Sequence, residues 1–200
     1  MKFLKKALKV LVNPVINPVI NPVINPVKSP IANLTESFVD NVFRDKVKPV
    51  KGSVLYCDLL MGNMEHSGIY VGGGKDCIVE LHNDNGTCII QKVTPQQFME
   101  KGTAVSIYVS CSGHDPVGKK RIAKTALSMV GQNLGRYSLL SNNCHMFTDY
   151  CLRCGDKKNQ ECYEWTDYLK HYANREMTLT YLKESAEEIL GADTWRVWDR

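Results

Sequence analysis

Two hundred residues leave room for one domain with a real core plus extensions, and the apolar (44%) and charged (23%) fractions are those of an ordinary globular chain. The formal charge of +4 is carried by the start of the chain: residues 1–12 hold four lysines and no acid, which leaves the rest near neutral. No long basic stripe interleaved with aromatics appears, so the composition argues against a nucleic-acid binder.

Taken in order, residues 2–12 place Phe3, Leu4, Leu8 and Leu11 near one face of a helix with lysines around it, the pattern of an interfacial amphipathic helix. Lysines interrupt the apolar part and Asn13-Pro14 ends it early, so this start does not read as a signal peptide. A tandem repeat follows: Asn-Pro-Val-Ile from Asn13, Asn17 and Asn21, then Asn25-Pro-Val-Lys28. Proline at every fourth residue rules out a regular helix and a central strand. Val10 to Val27 carry no charge and ten of them are Val, Ile or Leu, too apolar for a plain linker. Residues 1–27 are therefore expected to dock on a membrane surface or in a partner's groove. A linker and a short helix around Thr35 to Phe43 complete a first region, 1–50.

A domain over 51–156 reads as strands and then helices. Strands are expected at Gly52–Cys57, from Glu65, at Cys77–His82, at Thr87–Val93 after the strong turn signal Asn83-Asp-Asn-Gly86, and at Ala104–Val109. Thr94-Pro95 opens a short helix, and Asp115-Pro116 is read as the start of a longer one reaching about Val130. Residues 157–200 read as a helical extension, with helices at Trp165–Tyr172 and 175–190 closed by Gly191. Trp195 and Trp198 are read as core packing rather than interface anchors. The class is α+β: an antiparallel sheet packed against a helix that begins near Cys144.

That helix carries the chemistry. Asn142 and Asn143 are good N-caps, Phe147, Tyr150, Cys151 and Cys154 recur at helical spacing, and Gly155 is a natural stop. Cys144 thus falls at the positive end of the helix dipole, where a thiolate is favoured and where backbone amides, with Asn143 in the capping region, can hold an oxyanion.

His66-x-Gly-Ile-Tyr-Val-Gly72, a following strand with a polar residue, and Asn143-Cys144-x-x-Phe147 ahead of Leu152-Arg-x-Gly155 resemble the lecithin:retinol acyltransferase-like family, a circularly permuted relative of the papain and NlpC-type cysteine enzymes. The resemblance implies Cys144 as nucleophile, His66 as base, and a third member on the next strand. Glu80 matches that place, where acyltransferases of the family often carry histidine; His82, two residues on and on the same strand face, is the alternative. The family's Asn-Cys-Glu-His-Phe reads Asn-Cys-His-Met-Phe here, so His145 and Met146 depart from it. It also implies a thioester on Cys144, no cofactor, and phospholipid or other acyl-ester substrates. A cysteine peptidase or amidase, and a catalytically silent membrane-interaction protein, are the alternatives. Cys151-x-x-Cys154 has the spacing of half a zinc site, completed by Cys162 and Cys144 or His145, but lies within the expected helix, so no metal is expected. The eight cysteines are read as reduced thiols of a cytoplasmic protein with peripheral membrane association.

Overall fold

The structure, a computed structural model, describes residues 46–59, 64–100, 106–140, 142–156, 162–172 and 174–200. The amphipathic start, the Asn-Pro-Val-Ile repeat and the helix expected around Thr35 lie outside the described residues.

Two antiparallel pairs of consecutive strands set up the sheet. Strands β1 (Val54–Leu59) and β2 (Met64–Tyr70) pair antiparallel, with Cys57 opposite His66 and Val54 opposite Ile69. Strands β3 (Ile78–Asp84) and β4 (Thr87–Val93) form the second hairpin over Asn85 and Gly86, both with positive φ (49° and 89°), as an Asn-Gly turn requires. Asn83 Oδ1 accepts from the Gly86 N–H at 2.8 Å and fixes the turn. Helix α1 (Pro95–Glu100) follows, with the Thr94 hydroxyl accepting from Gln97 N. Then come β5 (Ile107–Ser112), β6 (Asp115–Pro116), α2 (Lys120–Ser128), β7 (Asn133–Arg136), α3 (Cys144–Gly155), α4 (Trp165–His171), α5 (Leu179–Leu190) and β8 (Thr194–Val197). The sheet is antiparallel throughout, in the order β6-β5-β1-β2-β3-β4-β7, with β8 added on β5. The class is α+β.

Alternation along β1 buries both faces of the sheet. Val54 and Tyr56 join Ile69, Val79 and Leu81 beneath α2, α3 and α5, while Leu55 and Cys57 join Ile78, Val93 and Phe98 on the other face. Trp198 and Val47 close that second face, through a parallel bridge with Val47 N donating to Val197 O and Asp199 N donating to Val47 O.

Three elements differ from the sequence reading. Asp115-Pro116 do not open a helix: they fold back on β5 across Gly113 (φ 58°), and α2 starts four residues after Pro116. Strand β7 pairs with β4, and β8 brings part of the supposedly helical C-terminal region into the sheet. Trp195 packs edge-on against Tyr56, and Trp198 against Tyr70.

One irregularity positions the site. The β2–β3 ladder runs from Tyr70↔Ile78 to Gly68↔Glu80 and ends there, while β2 continues with β1 to Met64 and β3 continues with β4 to Asp84. Beyond Gly68 and Glu80 the two strands part like a fork, and the beginning of α3 sits in it.

Candidate active site

The segment before α3 is pinned from several sides. Ser138 and Asn142 exchange backbone hydrogen bonds, and the Asn142 amide donates to the carbonyls of Leu134 and Arg136. Asn143, the residue that caps α3, accepts from Met146 N at 2.9 Å and donates to Leu139 O and Met177 O. Both amide protons and the carbonyl of Asn143 are thus engaged within the fold. An oxyanion in this region would fall instead to the N–H of Cys144, which has no intrahelical carbonyl to serve.

Capping of this kind puts Cys144 at the first helical position, 5% exposed, where it lines a cleft of about 230 Å³. Tyr137, Leu139, Met177 and Thr178 line its walls, with His145 beside the thiol. Cys144 reaches across the fork to the Glu65 carbonyl, 3.9 Å from Sγ, and its charge is coupled to that of His66.

His66 stands between two partners. Its Nε2 lies 2.7 Å from Glu80 Oε2, which leaves Nδ1 as the nitrogen available to the thiol. Phe98 packs on the ring at a centroid distance of 4.8 Å. Burial pulls the pKa of His66 down, but the charge and hydrogen bond of Cys144, followed by those of Glu80, outweigh it, and the pKa rises. Burial likewise pushes the Cys144 thiol up. The His66 charge and hydrogen bond, together with the backbone and hydroxyl of Ser67, reverse that and hold the thiol below the ordinary cysteine value. The pair therefore favours thiolate and imidazolium.

Glu80 has no exposure at all, and its second oxygen accepts from Gln91 Nε2 at 2.8 Å. A carboxylate gripped at both oxygens has little freedom to turn. His82, the alternative third member, lies beyond the fork, where β3 runs with β4 and His82 pairs with Ile89. Glu80 is the residue brought to His66.

Sequence reasoning missed Gln91, Ser67 and Thr148. Ser67 Oγ lies 3.1 Å from Thr148 Oγ1 and 2.9 Å from His145 Nδ1, and Thr148 donates to the Cys144 carbonyl at 2.9 Å. A signal for Gln91 existed: the Asn85-Gly86 turn fixes the hairpin register, which sets residue 91 opposite residue 80.

A protein-family model described as lecithin retinol acyltransferase matches residues 48–158, more than half of the chain. The chain belongs to the lecithin retinol acyltransferase family. His66, Glu80, Gln91 and Cys144 all lie within the matched span. This family sits within the NlpC/P60-like superfamily, and membership points to the acyl chemistry of a cysteine enzyme. Neither the comparison with curated proteins nor that with solved structures gives a match.

The expectation that all thiols are reduced fails at one pair. Cys154, in the last turn of α3, is joined to Cys162 by a disulfide, so half of the zinc-like spacing serves a covalent link. Cys151 is fully buried one turn before it, with its thiol pushed well up by burial. Among the described residues, no helix is long and apolar enough to cross a membrane.

Proposed function

We propose that this protein is a cysteine-dependent phospholipase or acyltransferase acting on lipid esters. The observation that carries the reading is the buried imidazole of His66, bonded to Glu80 and coupled to the charge of Cys144, which itself lines a cleft. In this mechanism the Cys144 sulfur attacks the ester carbonyl and the N–H of Cys144 receives the oxyanion. The C–O bond then breaks, His66 protonates the departing alcohol, and an acyl thioester remains on Cys144. His66, now neutral, takes the proton of an incoming water, alcohol or amine as it attacks, and the C–S bond breaks. Glu80 keeps the imidazole oriented and stabilises its charged form, and Gln91 steadies Glu80. The apolar side chains at the cleft, Met177 and Leu139, the latter 60% exposed, suit an acyl chain better than a peptide. Peripheral attachment through residues 1–27 would bring this mouth to its substrate.

Intact-mass spectrometry of the full chain incubated with phosphatidylcholine vesicles tests the reading. An added fatty-acyl mass that is absent in Cys144→Ala is expected. No adduct on phospholipid, but labelling of Cys144 by a peptide aldehyde, would move the substrate to amide bonds; inertness to both would end the enzymatic reading.

A further inference from the structure

His145 stands beside the nucleophile, yet the attack on an ester needs nothing from it. Its protonation can be counted from its neighbours. The Cys144 carbonyl can only accept, so the Thr148 hydroxyl at 2.9 Å directs its one proton there. Thr148 Oγ1 then faces Ser67 Oγ, 3.1 Å away, as an acceptor. Ser67 has one proton; Thr148, whose own proton is spent, and the Cys144 sulfur can bond to its oxygen only by receiving that proton, whereas His145 can supply one, so the proton goes to one of the first two. In both cases none is left for His145. The 2.9 Å contact between Ser67 Oγ and His145 Nδ1 therefore has the imidazole as donor, and the ring carries its proton on Nδ1. Nε2 then carries the lone pair, and His145 is among the residues that line the cleft with Cys144, Tyr137 and Thr178. Burial, and then the positive charge of His66, hold the His145 pKa down at about 3, so the ring stays neutral.

We infer that His145 Nε2 is the fixed hydrogen-bond acceptor of an acyl-acceptor subsite, binding the O–H or N–H of the molecule that resolves the Cys144 thioester. The inference rests on the thioester reading above. A ring this weakly basic orients the acceptor and does not keep its proton. The acceptor's oxygen or nitrogen bonds to the thioester carbon, the C–S bond breaks, the proton passes to His66, and Cys144 leaves as thiolate. A fixed neutral acceptor selects for donors: water, a primary or secondary alcohol, or an amine fits, whereas an ether or tertiary amine leaves the lone pair unanswered.

Two measurements on the full chain test this. The first is stopped-flow turnover of a p-nitrophenyl ester of a short fatty acid, with glycerol as acceptor. The ratio of the acylation burst rate to steady-state turnover should rise about ten-fold in His145→Phe, the scale of one lost hydrogen bond, and fall back toward wild type in His145→Gln, which keeps a donor for Ser67 and an acceptor for the cleft. An unchanged ratio in His145→Phe would overturn the inference. The second is nitrogen-15 NMR of the histidines at neutral pH, which needs no substrate: protonation of His145 on Nδ1 is expected, and protonation on Nε2 would overturn it. A wild-type protein with no burst would instead sink the thioester itself, and the acceptor role with it.

Discussion

Cys144 and His66 move one another's protonation in opposite directions, and the consequence is readable in a pH profile. The working form, thiolate with imidazolium, forms as pH rises through the lowered Cys144 pKa and is lost as pH rises through that of His66, near 9. Turnover should follow a bell with its alkaline limb at about that value. Glu80→Gln removes one of the interactions that raise His66, so this limb should move to lower pH. Loss of orientation should also lower kcat by about 10²-fold. A limb that stays in place would show that Glu80 does not act on the imidazole. Cys144→Ala should abolish acyl transfer while leaving far-UV circular dichroism and Tm close to wild type, since the substitution removes one small atom and a long hydrogen bond to the Glu65 carbonyl at 3.9 Å.

At the scale of elements, two positions explain why α3 stands where it does. A Cβ added at Gly155 would lie 2.4 Å from Ile122 Cγ1 and 2.7 Å from Ile122 Cα, so α2 and α3 meet there at near-backbone distance. Gly155→Ala should cost about 1–3 kcal/mol through overpacking, read as a lowered denaturation midpoint. At the other end, Asn143→Ala removes the cap and frees the carbonyls of Leu139 and Met177. A loss of about 1–2 kcal/mol follows, and urea titration would measure it. These elements were also the most legible in the sequence. The helix carrying Cys144 announced itself by its cap, its apolar spacing and its terminal glycine. The β3–β4 hairpin did so by its Asn-Gly turn. Strands β6, β7 and β8 were illegible because two to four residues cannot show a period. Asp115-Pro116, Asn133–Arg136 and Thr194–Val197 become strands only because an edge of β5 or β4 waits for them. The fork that lets His66 and Cys144 meet is likewise a property of pairing, invisible in either strand alone, and the Ser67–His145–Thr148 chain depends on it.

The molecule as a whole is braced behind the site. Asp149, fully buried on α3, accepts from Arg153 Nε at 2.9 Å and from the Tyr168 hydroxyl of α4, while Arg153 also donates to Tyr181 and Ser185 of α5. Arg153→Ala would leave that carboxylate without its cation, and a loss of about 3 kcal/mol or more is expected in thermal unfolding. The disulfide closes a short loop at the same end of α3. In the chain-entropy account its reduction should cost about 2–3 kcal/mol, measurable by unfolding with and without dithiothreitol. Flotation with liposomes compares the full chain with one lacking residues 1–27; only the former should rise.

The bridge between Val47 and Trp198 has a mechanical meaning. The two segments run parallel, so tension applied between residue 46 and residue 200 draws them past one another lengthwise. The hydrogen bonds from Val47 N to Val197 O and from Asp199 N to Val47 O are then strained together instead of in succession. Anything that tugs on the amino-terminal segment at a surface meets that clasp before it reaches the strands that carry His66 and Glu80.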